Sequence, residues 1–121
     1  MGVDAKLSVY VASNTIRIFK STIKFLDVPK YIRFRVNDAG TSMMVEPYDK
    51  KTFISFKVPK NLFDTDKSME VHSKAFCQLL ASMMNWRTDC SYRLKGVLVN
   101  KHKKVAIFDL TSAEVIRQDW D

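Results

Sequence analysis

A chain of 121 residues, 46% hydrophobic and 27% charged, has the size and composition of one compact domain, which excludes wholesale disorder. Its 20 lysines and arginines outnumber 13 aspartates and glutamates, and the net charge of +7 favours an anionic partner: nucleic acid first, then a membrane surface or an acidic protein. No apolar run approaches the roughly 20 residues of a membrane helix, and the N-terminus lacks the apolar core of a signal peptide. We therefore expect a cytoplasmic protein without a membrane partner.

The first half of the chain alternates between apolar and polar residues, as half-buried strands do, on both sides of one short helix. Apolar positions four and three residues apart indicate the helix, and the proline at position 29 ends it. On the strand that follows, apolar side chains face one way and arginines the other. The predicted elements are strand 6–18 with a break at 12–14, helix 19–26, and hairpin strands 31–36 and 43–47.

The second half repeats this order after a short strand at 53–58 and a polar linker at 59–68. Its helix is longer, with an apolar stripe predicted to face the core. A capping-box pattern from Thr111 to Glu114 predicts a last short helix. The predicted elements are strand 70–72, helix 73–85, and hairpin strands 92–99 and 105–110; the stripe is Phe76, Leu79, Leu80, Met83 and Met84.

These patterns predict an α+β, strand-rich fold built from two strand–helix–hairpin repeats in a single domain, 1–121. Repeat one covers 7–49 and repeat two covers 69–110. A bridging strand and linker at 50–68 joins them, and the C-terminal helix covers 111–119.

The helix of repeat one carries a family resemblance. Residues 18–28 (IFKSTIKFLDV) resemble the I-P-K-x-L-R-x-x-L-G-I signature of the AbrB/MazE/SpoVT swapped-hairpin DNA-binding domains, and 31–47 resembles the strand pair that follows it there. Repeat two resembles the family at 73–76 and 86–89. Phe19 and Ser73 replace the signature proline, and Asp27 and Asn85 replace its glycine.

In that family each subunit contributes one such unit, and two units interleave into a small β-barrel. Two copies in one chain therefore imply a swapped-hairpin-like barrel that is a monomeric pseudo-dimer or a homodimer. The resemblance implies a transcriptional regulator that grips double-stranded DNA through basic residues at the strand–helix junctions. By position these are Lys20 and Lys24 in the first unit and Lys74 in the second, with Arg17 just before the motif.

Further basic residues lie outside the motif. Lysine and arginine neutralise phosphates and release counterions, so strand arginines and a basic hairpin tip are candidate DNA contacts. Arg33, Arg35, Arg93 and Lys95 could equally form ion pairs with Glu46 or Asp109 across the hairpins. The full set of candidate nucleic-acid-binding residues is Arg17, Lys20, Lys24, Arg33, Lys74, Arg93, Lys101, Lys103 and Lys104.

No pattern indicates an enzyme, a metal or a cofactor. His72 and His102 cannot be tied to a nucleophile, and Cys77 lies on an apolar helix. The spacing of Cys77 and Cys90 matches no short zinc-ligand pair. Two alternatives to duplex binding stay open: a protein-interaction module, antitoxin-like or accessory, that has lost DNA binding, and a small barrel that binds single-stranded nucleic acid or RNA.

Overall fold

A computed structural model describes residues 3–118 of the chain, with the side chains of residues 3–116. Eight strands and two α-helices occupy this range, and a short 3₁₀ turn, Leu62–Asp64, lies in the linker. The elements in chain order are β1 (Val3–Tyr10), β2 (Thr15–Ile18), α1 (Lys20–Phe25), β3 (Tyr31–Val36), β4 (Ser42–Tyr48), β5 (Ser55–Lys57), β6 (Met69–His72), α2 (Lys74–Met84), β7 (Cys90–Asn100) and β8 (Lys104–Gln118).

The strands form one antiparallel sheet in the order β5-β3-β4-β8-β7-β1-β2-β6, which curls into a nearly closed barrel. Within the described residues β5 pairs only with β3 and β6 only with β2, so the gap in the barrel lies between β5 and β6. The strand-rich α+β class is therefore confirmed. No helix in residues 3–118 is long and apolar enough to cross a membrane.

Side chains alternate between the two faces of each strand, and the inward-facing side chains form the core. Leu7 of β1 lies opposite Ile18 of β2 and Leu94 of β7, and all three are fully buried. On β3, Ile32 and Phe34 are buried, as predicted. Burial of such a side chain contributes about 1.5–3 kcal/mol each, so the barrel interior supplies most of the driving force for folding.

The apolar stripe predicted on α2 is wrong in part. The buried face consists of Cys77, Leu80 and Ala81, whereas Leu79 and Met83 are 49% and 40% exposed. The helix carries two overlapping apolar faces with helical spacing, and the sequence pattern does not distinguish them. Packing of Phe76 on Phe34 and contacts of the helix with β2 select the rotation that leaves the second face in solvent.

The predicted C-terminal helix 111–119 is also wrong as far as the structure describes it, because β8 continues as a strand to Gln118; residue 119 lies outside the described range. Arg93 lies opposite Glu114 and Lys95 opposite Asp109, so the intervening part of β8 bulges out of the ladder. The Ser112 hydroxyl accepts from the Lys95 N–H and donates to the Asp109 carbonyl. The residues that resemble a capping box therefore stabilise a bulge.

Candidate nucleic-acid interface

The end of α1 is held against the tip of the β7–β8 hairpin. Lys104 Nζ lies 3.2 Å from Asp27 Oδ1 and 5.6 Å from the centroid of the Phe25 ring. Lys20 and Lys24 lie four residues apart on α1 and therefore point to the same side of the helix. This contact brings the predicted helix lysines and the predicted hairpin-tip lysines to one region.

A buried carboxylate connects the same hairpin tip to β3. Arg33 lies opposite Glu46 in the β3–β4 register and donates to Glu46 Oε2 through Nε at 3.2 Å and Nη2 at 2.9 Å. Lys103 donates to the other oxygen of Glu46, and Arg35 Nη1 lies 3.5 Å from Oε2. The ion pair that the sequence offered for Arg33 is thus present.

The pKa of Glu46 reflects two opposing effects. The carboxylate is fully buried, and burial alone raises its pKa. Hydrogen bonds and positive charges from Lys103 and Arg33 outweigh burial and hold the pKa below its usual range. Glu46 therefore stays ionised at neutral pH and acts as an anchor for the cations around it.

Together these contacts define one basic region, which we call the α1–tip surface. Four of its seven cations pair with two carboxylates, Asp27 and Glu46, and three more lie on α1 and at the hairpin tip, which leaves five positive charges in excess. Within residues 3–116, Lys20, Lys24 and Lys101 make no ion pair with a carboxylate. The cations of this surface are Lys20, Lys24, Arg33, Arg35, Lys101, Lys103 and Lys104.

Two more predicted residues lie in a row across the outside of the sheet. Arg93, Ser8, Arg17 and Glu70 are successive neighbours on β7, β1, β2 and β6. Arg93 Nε donates to the Ser8 hydroxyl at 3.2 Å and lies over the Phe19 ring at the start of α1, while Arg17 Nη2 lies 3.1 Å from Glu70 Oε2. Arg93 thus extends the basic region toward α1, and Glu70 neutralises Arg17.

Lys74 is not brought to this region. It begins α2, which follows β6, whereas Lys20 begins α1, which follows β2. Because β2 and β6 are antiparallel, the two helices leave opposite ends of their ladder. The sequence placed Lys20 and Lys74 at equivalent positions of two units, and the structure places them apart.

His72 and Cys77 occupy structural positions. His72 Nδ1 lies 3.1 Å from the Thr15 hydroxyl on the neighbouring strand. Burial raises the pKa of the Cys77 thiol to about 11, so at neutral pH this thiol is protonated and a poor nucleophile. In residues 3–116 no group of three His, Cys, Asp or Glu side chains could hold a metal ion.

The sequence patterns do not identify Asp27 and Glu46 as the carboxylates that hold the cations of the α1–tip surface. Glu46 could have been identified more firmly, because a strand acid directly opposite Arg33 is a recognisable cross-strand pair. The pair between Asp27 and Lys104 joins residues 77 positions apart and has no local signal. No family model, curated protein or solved structure matches the chain, so its function is inferred from its own residues.

Proposed function

We propose that this chain binds double-stranded DNA through the α1–tip surface and serves as a transcriptional regulator of the AbrB-like type. The observation that carries the proposal is the excess of five positive charges on neighbouring elements, where two carboxylates hold four of the seven cations. Lysines without acidic partners keep their full charge for phosphates, and their release of counterions drives binding. Arg33 and Lys103 already donate to Glu46, so they contribute more to the arrangement of the α1–tip surface than to contacts with DNA.

An internal repeat, as predicted from the sequence, is part of this proposal. Strand β2 pairs with β6 and β4 pairs with β8, which is the pairing expected of two units related by a twofold axis. The end of α1 contacts the β7–β8 tip through Asp27 and Lys104. In the same way α2 reaches the β3–β4 tip, where a Cβ added at Gly40 would lie 3.1 Å from Met83 Cε. These reciprocal contacts favour a monomeric pseudo-dimer.

The ends of the two helices support the family resemblance. Asp27 and Asn85 occupy the positions of the signature glycine, and their φ angles are +64° and +55°. Glycine is favoured at such positions because it adopts positive φ without steric cost, and aspartate and asparagine are the next most tolerant residues. The backbone at both positions therefore has the conformation that a signature glycine would serve.

The test is fluorescence anisotropy of a labelled random duplex at about 50 and about 200 mM salt. The variant Lys20→Ala/Lys24→Ala/Lys101→Ala removes three exposed or half-buried cations without breaking an ion pair in residues 3–116. We expect it to lower the slope of log affinity against log salt by about 2–3, because each phosphate contact contributes nearly one unit. The matched control, Lys57→Ala/Lys60→Ala/Lys67→Ala, removes the same charge from another part of the chain.

Three results would contradict the proposal or favour one of its alternatives. Equal salt slopes for the triple variant and its control would remove the α1–tip surface from the interface. Preference for single strands over duplex would favour the single-strand alternative, and no binding to either at low salt would favour the interaction module. Adding Lys74→Ala tests the second helix start, and a further loss of affinity would extend the interface to α2.

A further inference from the structure

An apolar pocket lies between α2 and the segment that leads into β5. Its volume is about 190 Å³. Phe34 of β3 forms part of its lining together with Phe53 and Ile54 before β5 and with Phe76 and Leu79 of α2. We call it the α2–β5 pocket.

The side chains around this pocket are exposed to an unusual degree. Phe53 is fully exposed, and Ile54 and Leu79 are each about half exposed, at 52% and 49%. Isolated surface apolar residues need no explanation, but several large ones grouped at a concave site mark a binding surface. Nothing in the DNA-binding proposal uses them.

Exposed lysines flank, in the sequence, the residues that line the α2–β5 pocket. Four exposed lysines lie between positions 49 and 60, where the one acidic residue is Asp49, and exposed Lys74 precedes pocket residue Ala75 on α2. No ion pair engages these lysines within residues 3–116. A second copy of this chain would bring the same lysines to the contact, so like charges oppose self-association here. The four are Lys50, Lys51, Lys57 and Lys60.

We propose that the α2–β5 pocket binds a short segment of an acidic partner protein, with two or three apolar side chains flanked by aspartate or glutamate. The apolar side chains enter between Phe53 and Leu79, and the flanking carboxylates pair with Lys51 and Lys74. The outer edge of β5 is unpaired in the described residues, so its backbone groups can also bind an extended segment. Apart from Lys74, which is also a candidate DNA contact, this site shares no residue with the DNA-binding proposal.

The first test is selection of a phage-displayed library of random dodecapeptides against the full chain. We expect the selected peptides to combine closely spaced apolar residues with acidic flanks. A synthetic selected peptide, followed by fluorescence polarisation, should bind at least about tenfold more weakly to Phe53→Ser and to Leu79→Ser, as truncation of a central anchor does. Val115→Ser removes an apolar side chain that is about as exposed as Leu79 but does not line the pocket, and it should leave affinity unchanged.

Charge reversal gives the second test. Lys51→Glu/Lys74→Glu should reject the selected peptide and bind a version in which each acidic flank residue is replaced by lysine. All five side chains altered in these two tests are at the surface, so thermal melting should show a folded protein for every variant. Selected peptides without acidic flanks, unchanged binding to Phe53→Ser and Leu79→Ser, or displacement of the peptide by oligo(dT) would each overturn the proposal.

Discussion

The surroundings of the two helices differ, although both helices follow a short strand and precede a hairpin. Helix α1 has six residues, and its end is held by the ion pair between Asp27 and Lys104. Helix α2 has eleven residues, with a side-chain cap at its start and apolar side chains in solvent, whereas a residue with positive φ follows both helices. Charge dominates the surface around α1, and apolar area dominates the surface around α2.

This difference teaches that one scaffold can present two chemistries. Strand pairing and core packing need only the inward-facing residues of each unit, so the outward faces can diverge without loss of the fold. On the two proposals made above, the first helix offers a surface for phosphates and the second a surface for a protein segment.

Substitutions on the two faces of α2 should differ most in their effect on the free energy of unfolding. Leu80 is fully buried, so Leu80→Ala should lower the free energy of unfolding by about 2–5 kcal/mol through lost transfer energy and a cavity. Leu79→Ala, at a half-exposed neighbour, should change it by no more than about 0.5 kcal/mol. Urea unfolding followed by circular dichroism measures both values. Similar losses for the two variants would mean that Leu79 also packs in the core.

Loss of the buried carboxylate of the α1–tip surface should have the next largest effect on the free energy of unfolding. Glu46→Gln should cost about 2–3 kcal/mol at pH 7, because Arg33 and Lys103 lose a charged acceptor while both stay partly exposed and can rehydrate. Glu70→Gln, at a pair with both partners exposed, is the matched control and should cost less than about 1 kcal/mol.

The same variant has a defined pH dependence. The pKa of Glu46 is lower in the folded than in the unfolded chain, so its contribution is complete above the unfolded pKa, about 4.3, and is lost as pH falls through the folded pKa. The difference in melting temperature between wild type and Glu46→Gln should therefore shrink as pH is lowered from 7 to about 3. A difference that stays constant on acidification would contradict an ionised, stabilising Glu46.

Much of the fold could be predicted from the sequence because the strands are amphipathic and the turns carry strong signals. The predicted strand 31–36 coincides with β3, and the break predicted at 12–14 separates β1 from β2. The errors arise where local pattern and tertiary packing disagree. The capping-box residues near Thr111 also fit a β-bulge, and only the pairing of β8 with β7 decides between the two.

The candidate site was less predictable than the fold. Residue type identified the cations, but whether a cation is available depends on partners that are distant in sequence. Lys104 finds Asp27, and Lys103 finds Glu46, across 77 and 57 positions. The α2–β5 pocket was not predicted, because the pattern assigned Leu79 to the core and gave no role to Phe53.

Substitutions at the ends of the two helices should have a moderate effect on stability. Asn85→Ala should cost about 1 kcal/mol, since alanine tolerates positive φ poorly, whereas Asn85→Gly should be nearly neutral. Asp27→Gly is the informative counterpart at α1, because it relieves the same backbone conformation but removes the ion pair with Lys104. Thermal melting compares the three. A clear gain for Asp27→Gly would show that the pair with Lys104 contributes little to stability.

The smallest expected effect concerns Arg17 and Glu70 on the outside of the sheet. Their ion pair joins two half-exposed side chains, so a double-mutant cycle with Arg17→Ala and Glu70→Ala should give a coupling energy of about 0.2–1 kcal/mol that decreases with salt. Glu70→Ala also frees Arg17, which then adds a cation to the row that Arg93 extends toward α1. If DNA contacts reach this row, Glu70→Ala should tighten duplex binding and steepen its salt dependence. Unchanged binding would confine the interface to α1 and the hairpin tip, because a positive charge added next to bound phosphates would raise the affinity for DNA at low salt.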